Sequence, residues 1–452
     1  MNHRIFREYD TRGHADRDLP DDVVRAIGLA IGEAAYAGPG PVVVGRDCRL
    51  SSPRMFAALT DGIRAIADVI DIGIVPTPVA YFAQQHLLAA ATVMITGSHN
   101  PAEDNGLKIM VGDQTLYGAA IAAIGRRAAD LLVQPTQRPR RPIITHSVSE
   151  AYIERAVAEL RLGPRRPKVV VDAGNGAGGS TAMALYAELG FDVVPLYCDF
   201  DGRFPHHHPD PTQPENLSDL INAVQHLGAE IGIALDGDAD RVGAVTATGQ
   251  ILWGDQLMVL LGRAVLDEVP DAKFVAEVKC SQAMYDALPS CEMWKVGHSL
   301  IKERMRQTGA QLAGEMSGHL FFAHRWLGFD DGIYAGARLL ELLSRSDRTL
   351  AELATDLPKA INTPEIRVDC PDALKFGVVA RVTESLRGDP AVLDVVTIDG
   401  VRARFEDGWG LVRASNTQAA LVVRCEGRDQ RALDEIQRTV EAHIAAATQQ
   451  TG

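Results

Sequence analysis

The segment Ile231-Gly232-Ile233-Ala234-Leu235 runs directly into Asp236-Gly237-Asp238-Ala239-Asp240-Arg241, and this stretch indicates both a fold and a chemistry. A short apolar run that ends in a polar loop predicts a buried strand. A second stretch has the same form. The apolar run Ala91–Ile95 precedes Thr96-Gly97-Ser98-His99-Asn100-Pro101, a tight loop with one serine hydroxyl. A nucleophilic hydroxyl and an all-oxygen cation site are the two parts that phosphoryl transfer needs.

The three carboxylates of the first stretch, Asp236, Asp238 and Asp240, stand at alternate positions. In an extended loop such side chains fall on one side, where they repel one another unless a cation neutralises them. Oxygen ligands without cysteine or histidine suit Mg²⁺. A solvated acidic turn is the alternative, but the preceding strand and the adjacent Arg241 favour a metal site.

Length, composition and charge narrow the class of protein. A chain of 452 residues with 46% hydrophobic residues is too long for one core and predicts several domains. The net charge of −14 argues against general nucleic-acid binding. We expect no membrane span, no secretory signal and a cytoplasmic location, since no apolar run of the required length occurs. The six scattered cysteines predict free thiols, and nothing indicates an obligate protein partner.

The order of patterns along the chain predicts an α/β fold. Apolar runs alternate with amphipathic stretches, which favours mostly parallel sheets. Residues 134–142, rich in proline and arginine, predict a linker. Beyond residue 363 the alternation in residues 395–413 predicts an antiparallel sheet, with helix returning only at 428–446. The predicted domains are residues 1–145, 146–250, 251–362 and 363–452.

Five motifs in a fixed order resemble those of the α-D-phosphohexomutases, most closely the bacterial phosphomannomutase/phosphoglucomutase branch. The motifs are Phe6-Arg7-Glu8-Tyr9-Asp10-Thr11-Arg12-Gly13, then Thr96 to Pro101 with Asn105-Gly106-Leu107-Lys108, then Asp236 to Arg241, Gly314-Glu315-Met316-Ser317-Gly318-His319, and Arg413-Ala414-Ser415-Asn416-Thr417. The resemblance covers nearly the whole chain. It implies three similar mixed α/β domains and a smaller C-terminal α+β domain around a central cleft. Ala239 departs from the pattern, because glycine is common there.

The resemblance also implies an activity and a set of site residues. The activity is interconversion of hexose 6-phosphate and hexose 1-phosphate, with mannose or glucose, through phosphoserine at Ser98 and a hexose 1,6-bisphosphate, which also serves as activator. The implied catalytic residues are Ser98, Lys108, Arg12 and His319. The implied ligands of one Mg²⁺ are Ser98, Asp236, Asp238 and Asp240. The implied phosphosugar-binding residues are Tyr9, Arg241, Lys279, His298, Glu315, Ser317, Arg413, Ser415, Asn416 and Thr417.

Two of these motifs also have the chemistry for sugar phosphates in their own right. Glu315 and Ser317, two residues apart on a glycine-flanked loop, can hydrogen-bond neighbouring sugar hydroxyls. Residues 413–417 supply a planar cation, two hydroxyls and an amide, which suits a phosphate that stays bound during the reaction. A polar turn between strands is the alternative for the second motif.

Other functions remain open at this point. Residues 168–171 predict a strand, Gly174-Asn175-Gly176-Ala177-Gly178-Gly179 fits G-x-G-x-x-G, and Asp199 ends the next apolar run, as in a dinucleotide-binding unit. An NAD(P)-dependent oxidoreductase is therefore one alternative. It would leave the Ser98, aspartate and Arg413 loops unexplained. A phosphoglucosamine mutase is the alternative within the same family. A sugar-phosphate sensor without activity is disfavoured by the intact Ser98 loop.

Overall fold

The computed structural model of the chain describes residues 1–36, 38–133, 140–416 and 418–449. Thr417 and most of the predicted linker, residues 134–142, lie outside the described residues. Within the described ranges, no helix combines the length and apolarity needed to cross a membrane. The described residues form four β-sheets, one after another along the chain.

The first sheet places the Ser98 loop. Its strands are β1 (Thr11–His14), β2 (Val42–Arg46), β3 (Val69–Ile74), β4 (Ala91–Ile95), β5 (Asp104–Val111), β6 (Gln114–Thr115) and β7 (Ile143–Thr145). Its helices are α1 (Ala15–Asp18), α2 (Asp21–Ala35), α3 (Ser52–Ile63), α4 (Thr77–His86) and α5 (Ala119–Val133). The strand order is β1-β5-β4-β2-β3-β7, and β6 pairs with β5. Strands β4, β2, β3 and β7 are parallel, whereas β5 is antiparallel to β1 and β4.

The second sheet places the acidic loop, residues 236–241. Its strands are β8 (Val169–Asp172), β9 (Val193–Leu196), β10 (Ile231–Leu235), β11 (Val242–Thr246) and β12 (Ile251–Leu252), and its helices are α6 (Ser149–Glu159), α7 (Gly179–Glu188) and α8 (Ser218–His226). The order is β12-β11-β10-β8-β9. Strand β10 is buried throughout and runs parallel to β8. The acidic loop therefore begins where a central strand ends, as the apolar run predicts.

The third sheet carries the loop with Glu315 and His319. Its strands are β13 (Phe274–Glu277), β14 (Cys291–Trp294), β15 (Leu312–Gly314) and β16 (Leu320–Phe322), in the order β14-β13-β15-β16. Its helices are α9 (Gly254–Glu268), α10 (Gln282–Ala287), α11 (His298–Thr308), α12 (Gly332–Arg345) and α13 (Leu350–Ala354). Strands β15 and β16 form an antiparallel hairpin, and residues 315–319 of the fourth motif connect them.

The fourth sheet is antiparallel. Its strands are β17 (Ile361–Asn362), β18 (Ile366–Asp369), β19 (Asp394–Val396), β20 (Val401–Phe405), β21 (Gly408–Ala414) and β22 (Ala420–Gly427), in the order β17-β22-β21-β20-β19 with β18 beside β22. Two helices pack on it, α14 (Lys375–Arg387) and α15 (Gln430–Gln449). The prediction that helix returns only at 428–446 is wrong, because α14 precedes it. The buried residues of α14 include Val378, Val379 and Val382. Because such β-branched residues also favour strands, the sequence pattern does not predict this helix.

The cores show how these sheets join. One hydrophobic cluster is continuous from the first sheet through the third, from Val43 to Leu357. The fourth sheet and its helices enclose a separate cluster, from Cys370 to Ala447. A small cluster of Val278, Trp409 and Leu411 joins the third and fourth units. The predicted fold class, three mixed α/β units and a smaller α+β unit, is confirmed.

Candidate active site

Ser98 lies on the loop that follows β4 and is almost completely buried. Its φ is 49°, a left-handed conformation that non-glycine residues seldom adopt. Its amide donates to the hydroxyl of Thr96 at 2.8 Å. Its own hydroxyl donates to Asp236 Oδ2 at 2.9 Å. The loop from the first sheet and the loop from the second sheet therefore meet at this hydroxyl.

The acidic loop brings the three predicted carboxylates together. Asp236, Asp238 and Asp240 are fully buried, and one carboxylate oxygen of each lies within 4.8 Å of the others. Ala239, inside the same turn, has a φ of 58°. That conformation costs an alanine about 1 kcal/mol relative to glycine. The tight turn explains how alternate carboxylates come to face one point.

Lys108, on β5, is the buried cation of this cluster. Its Nζ lies 2.9 Å from Asp238 Oδ2 and also pairs with Asp240. Burial together with the nearby Asp240 and Asp238 raises the pKa of Asp236 well above its usual range. Burial acts in the same direction on Asp240, but Lys108 and His319 outweigh it and hold the pKa of Asp240 well below its usual range. Lys108, His319 and Arg241 therefore all lie against the three buried carboxylates, and the pKa of Asp236 is nevertheless raised.

The cluster fits a divalent cation. Asp238 Oδ1 is buried and has no hydrogen-bond partner among the described residues. An unpartnered buried carboxylate oxygen is costly unless a cation or another donor meets it. The donor set consists of oxygens only, which is the preference of Mg²⁺.

His319 joins the acidic loop to Glu315, on the connection between β15 and β16. Its Nδ1 lies 2.8 Å from Glu315 Oε2 and its Nε2 lies 3.1 Å from Asp240 Oδ1. Burial disfavours the imidazolium, yet Asp240 and Glu315 outweigh this effect and raise the pKa of His319 to about 9. Arg241 Nε lies 3.2 Å from the same Nε2, and Ser317 Oγ lies 3.3 Å from Nδ1.

Arg12 belongs to the same site through the Ser98 loop. It lies on β1 and donates to Asn100 Oδ1 at 2.6 Å and to Asp10 Oδ2 at 2.5 Å. Burial of His99, together with the nearby charges of Arg241 and Arg12, lowers the pKa of His99 well below its usual range. The structure therefore places Arg12 beside the Ser98 loop.

Tyr9 connects three of the four units. Its hydroxyl donates to the carbonyl of Val296 at 2.6 Å and accepts a hydrogen bond from Asn416. The rings of Tyr9 and His298 lie 6.2 Å apart, and those of His298 and His319 lie 5.8 Å apart. A continuous series of contacts thus runs from the C-terminal unit to the cluster of Asp236, Asp238 and Asp240.

The cations of the third and fourth units lie at the other end of this series. Arg413 is buried, and its Nε donates to Asp399 Oδ2 at 3.1 Å. Within the described ranges its Nη2 has no hydrogen bond of suitable geometry. Lys279 Nζ donates to Glu365 Oε2 at 3.1 Å. Ser415 follows β21, where its carbonyl accepts from Lys375 Nζ at 2.6 Å.

Three side chains of the site were not predicted from sequence. Thr77, at the start of α4, donates to Asp238 Oδ2 at 2.5 Å. Asp330 pairs with Lys302 at 2.8 Å and lies 3.4 Å from His298. The two adjacent carboxylates Asp330 and Asp331, directly before a helix, could have indicated the contacts of Asp330 from sequence. Thr77, a lone threonine between two prolines, has no sequence pattern that indicates its contact with Asp238.

Matches to known family models show the family to which this chain belongs. The four domain models described as phosphoglucomutase/phosphomannomutase, alpha/beta/alpha domains I, II and III and C-terminal domain, match residues 3–130, 150–249, 253–361 and 365–443. The chain belongs to the phosphoglucomutase/phosphomannomutase family. The predicted family and its hexose phosphate mutase function are confirmed, and the protein is an isomerase of this class.

Named relatives of the family agree over the full length. A phosphomannomutase/phosphoglucomutase of Pseudomonas putida is 44% identical and covers 96% of this chain and 93% of its own. A phosphoglucomutase of Neisseria gonorrhoeae is 42% identical, over 97% of this chain and 96% of its own. A crystal structure of a phosphoglucomutase/phosphomannomutase family protein from Burkholderia thailandensis is 41% identical, with a TM-score of 0.91 over 99% of this chain and 98% of its own.

In this structure the G-x-G-x-x-G segment, residues 174–179, packs against the acidic loop. A Cβ on Gly176 would lie 2.6 Å from the carbonyl oxygen of Gly237, and a Cβ on Gly178 would lie 2.4 Å from the Cβ of Ala239. The amide of Ala177 donates to the Gly237 carbonyl at 2.9 Å. The glycines therefore allow the acidic loop to pack where a pyrophosphate would lie, which counts against the oxidoreductase alternative.

We accordingly expect no NAD(P) binding. Titration calorimetry with millimolar NAD⁺ or NADP⁺ should give no saturable heat, since the backbone amides of residues 174–177 already bond to protein. Glucose 1-phosphate in the same buffer is the positive control. Saturable tight binding of either dinucleotide would restore the oxidoreductase alternative.

Proposed function

We propose that this protein interconverts the 6-phosphates and 1-phosphates of mannose and glucose, through phosphoserine at Ser98 and a hexose 1,6-bisphosphate. The observation that carries the proposal is the Ser98 hydroxyl, 2.9 Å from the buried carboxylate of Asp236. The names of the relatives support both hexoses. The bisphosphate is both the intermediate and the activator that phosphorylates Ser98.

The transfer breaks one P–O bond and makes another. The bond from phosphorus to Ser98 Oγ breaks as a bond forms to the free hydroxyl of the sugar monophosphate, and that hydroxyl loses its proton. The proton that the sugar hydroxyl loses is balanced by the proton that Ser98 Oγ gains as the leaving group. His319, held as an imidazolium between Glu315 and Asp240, is our candidate to add positive charge beside the transfer. Lys108 and Arg12 are proposed to stabilise the negative charge of the phosphoryl group. The bisphosphate then turns in the cleft, and the reverse step returns its other phosphoryl group to Ser98.

The acidic loop would hold one Mg²⁺. Its proposed ligands are Asp236, Asp238, Asp240 and an oxygen of the phosphate on Ser98. When bound, the ion supplies positive charge that neutralises the phosphoryl group during transfer. The unpartnered Asp238 Oδ1 supports this assignment.

The remaining residues of the cleft would read the sugar and its second phosphate. Glu315 and Ser317 are proposed to bind pairs of sugar hydroxyls, because the substrate must be accepted in two orientations. Lys279, His298, Arg241 and Tyr9 would line the same space. The distal phosphate is assigned to Arg413, Ser415, Asn416 and Thr417.

The four predicted domains, 1–145, 146–250, 251–362 and 363–452, are proposed as the structural units of the protein, of which the last one moves. The C-terminal unit has its own core and contacts Tyr9 through Asn416. We propose that phosphate held by Arg413 draws this unit over the cleft. Closure excludes water, which would otherwise compete with the sugar hydroxyl for the phosphoryl group.

Arg413→Ala should raise KM for hexose 1-phosphate. Each charge-assisted hydrogen bond lost is worth about 1.5–3 kcal/mol, roughly a tenfold to hundredfold weaker binding. It should also lower kcat and release more free bisphosphate, since closure becomes incomplete. Steady-state kinetics and chromatography of the released bisphosphate measure these effects. Small-angle scattering should show wild type contracting on saturation with substrate.

Arg428→Ala is the matched control, because this arginine belongs to the same unit but its side chain is largely exposed. Its kinetics should equal those of wild type. An unchanged radius of gyration in saturated wild type, together with unaltered bisphosphate release in Arg413→Ala, would remove the case for closure.

The proposed setting is the cytoplasm, without an obligate protein partner. The six cysteines form no disulfide among the described residues, which suits a reducing compartment. The deciding experiment is an assay of the purified protein with Mg²⁺ and glucose 1,6-bisphosphate. Turnover of mannose 1-phosphate and glucose 1-phosphate is expected. Faster turnover of glucosamine 1-phosphate than of either would favour the phosphoglucosamine mutase alternative.

A further inference from the structure

Arg49 has no part in the mechanism above, yet it lies directly beneath the loop that carries Ser98. Its side chain is completely buried. Its five N–H groups meet five acceptors, one on a carboxylate and four on the backbone of the loop. Nε donates to Asp47 Oδ2 at 3.1 Å, Nη1 to the carbonyls of Pro101 and Asp104 at 2.5 and 3.0 Å, and Nη2 to the carbonyls of Ser98 and Asn100 at 2.8 and 2.7 Å.

The loop is shaped around this guanidinium. A Cβ on Gly97 would lie 2.5 Å from Arg49 Cζ, so no other residue fits at 97 while the arginine stays in place. The next residue, Ser98, has the left-handed φ of 49°. Four backbone carbonyls converge on the guanidinium. Without a donor at their centre these buried acceptors would be unsatisfied.

Asp47 completes the support from the other side. Its carboxylate accepts from the amide of Gly97 at 3.2 Å and from the hydroxyl of Ser52 at 2.6 Å. The Asp47 and Arg49 pair therefore holds the amide at the start of the loop and the carbonyls along it. The two charges balance each other, so the pair adds rigidity beneath Ser98 without net charge.

We propose that Arg49 is a positioning residue for phosphoryl transfer. It touches no reacting atom and acts through the backbone of residues 98–104, which it holds so that Ser98 Oγ stays within reach of Asp236 and the acceptor hydroxyl. The inference rests on the proposed function in one respect, that Ser98 is the nucleophile.

Arg49→Lys tests this role. Lysine keeps the positive charge beside Asp47 but has three donors on one atom, so it cannot serve four carbonyls and a carboxylate. We expect kcat to fall about tenfold to 100-fold, since a small displacement of a reacting group has effects of that size. KM for glucose 1-phosphate should stay within about twofold, because the residues that bind the sugar and distal phosphate are untouched.

Arg338→Lys is the matched control. Arg338 is also buried, pairs with Glu341 at 2.9 Å and donates to the carbonyl of His324 at 3.0 Å, but its partners lie outside the site. Its kcat should stay within twofold of wild type, while its melting temperature falls by about as much as that of Arg49→Lys. A fall in kcat confined to Arg49→Lys separates positioning from general loss of stability.

Amide hydrogen exchange gives a second readout that needs no activity. Residues 97–104 should exchange at least tenfold faster in Arg49→Lys and at the wild-type rate in Arg338→Lys. If Arg49→Lys does not fold, the double variant Asp47→Asn with Arg49→Gln, which removes both charges together, is measured against the same thresholds.

Faster exchange at 97–104 together with the selective fall in kcat supports the proposal. Equal kcat in the two lysine variants, or a fall in kcat with unchanged exchange, overturns it. Wild-type enzyme without mutase activity would overturn the proposed function and the positioning role with it. Active wild type with an undiminished Arg49→Lys would overturn the positioning role alone.

Discussion

Ser98→Ala is expected to lower kcat by at least about 10⁴-fold, since loss of a covalent nucleophile has effects of this order. The substitution removes the hydroxyl that we propose carries the phosphoryl group between the two half-reactions. Alanine at this position keeps the same steric limits on φ as serine, so the loop should retain its shape. Initial rates with glucose 1-phosphate and bisphosphate give the kinetic result. Intact-mass spectrometry after incubation with bisphosphate should show one phosphate on wild type and none on the variant.

Ser290→Ala is a suitable control for this measurement. Its hydroxyl donates to the carbonyl of Ala272 at 2.8 Å, outside the site, so activity and phosphorylation should be those of wild type. If wild type and Ser98→Ala differ in mass only by the substitution itself, phosphate is not carried on Ser98 and the mechanism is wrong.

Removal of metal is expected to abolish activity, and Mg²⁺ should restore it. Asp238→Asn removes one anionic ligand but leaves an oxygen that can still accept from Thr77. We expect the Mg²⁺ concentration for half activity to rise and kcat at saturation to fall about 100-fold, because less positive charge reaches the transferring group. Mn²⁺ binding followed by electron paramagnetic resonance should weaken in parallel.

Asp389→Asn, a carboxylate beside His443 in the C-terminal unit, is the control and should keep the wild-type dependence on Mg²⁺. Full activity in excess chelator, with metal content measured as nil, would refute the metal assignment. If Asp238→Asn bound the metal as tightly as wild type, the metal site would have to lie elsewhere in the protein.

Much of the fold could be predicted because its signals are local. The run Ile231–Leu235 forms β10 with the predicted bounds, and Ala91–Ile95 forms β4, since an apolar segment between polar turns determines its own strand. Helix α14 could not be predicted in the same way. Val378, Val379 and Val382 have side chains that suit strand and helix alike, and only packing on the fourth sheet decides between them.

In the site, too, local features could be predicted from sequence and contacts between distant residues could not. The loops of Ser98, the aspartates and Glu315 each show their chemistry within a few residues, whereas their partners lie far away in sequence. Thr77 and Arg49 could not be found, because a lone threonine or arginine has no local pattern that distinguishes it from a surface residue.

The sequence by itself determined the strands, the loops that follow them and the kind of atom that each loop presents, because these depend on neighbouring residues. The tertiary structure decided which loops meet. Asn416 bonds to Tyr9 across 407 residues, and Lys108 pairs with Asp240 across 132. Such contacts arise from the burial of apolar faces between whole units, and no short pattern encodes them. That burial also gathers Asp236, Asp238 and Asp240 at one point and leaves Asp238 Oδ1 without a hydrogen-bond partner among the described residues, where a divalent cation would fit.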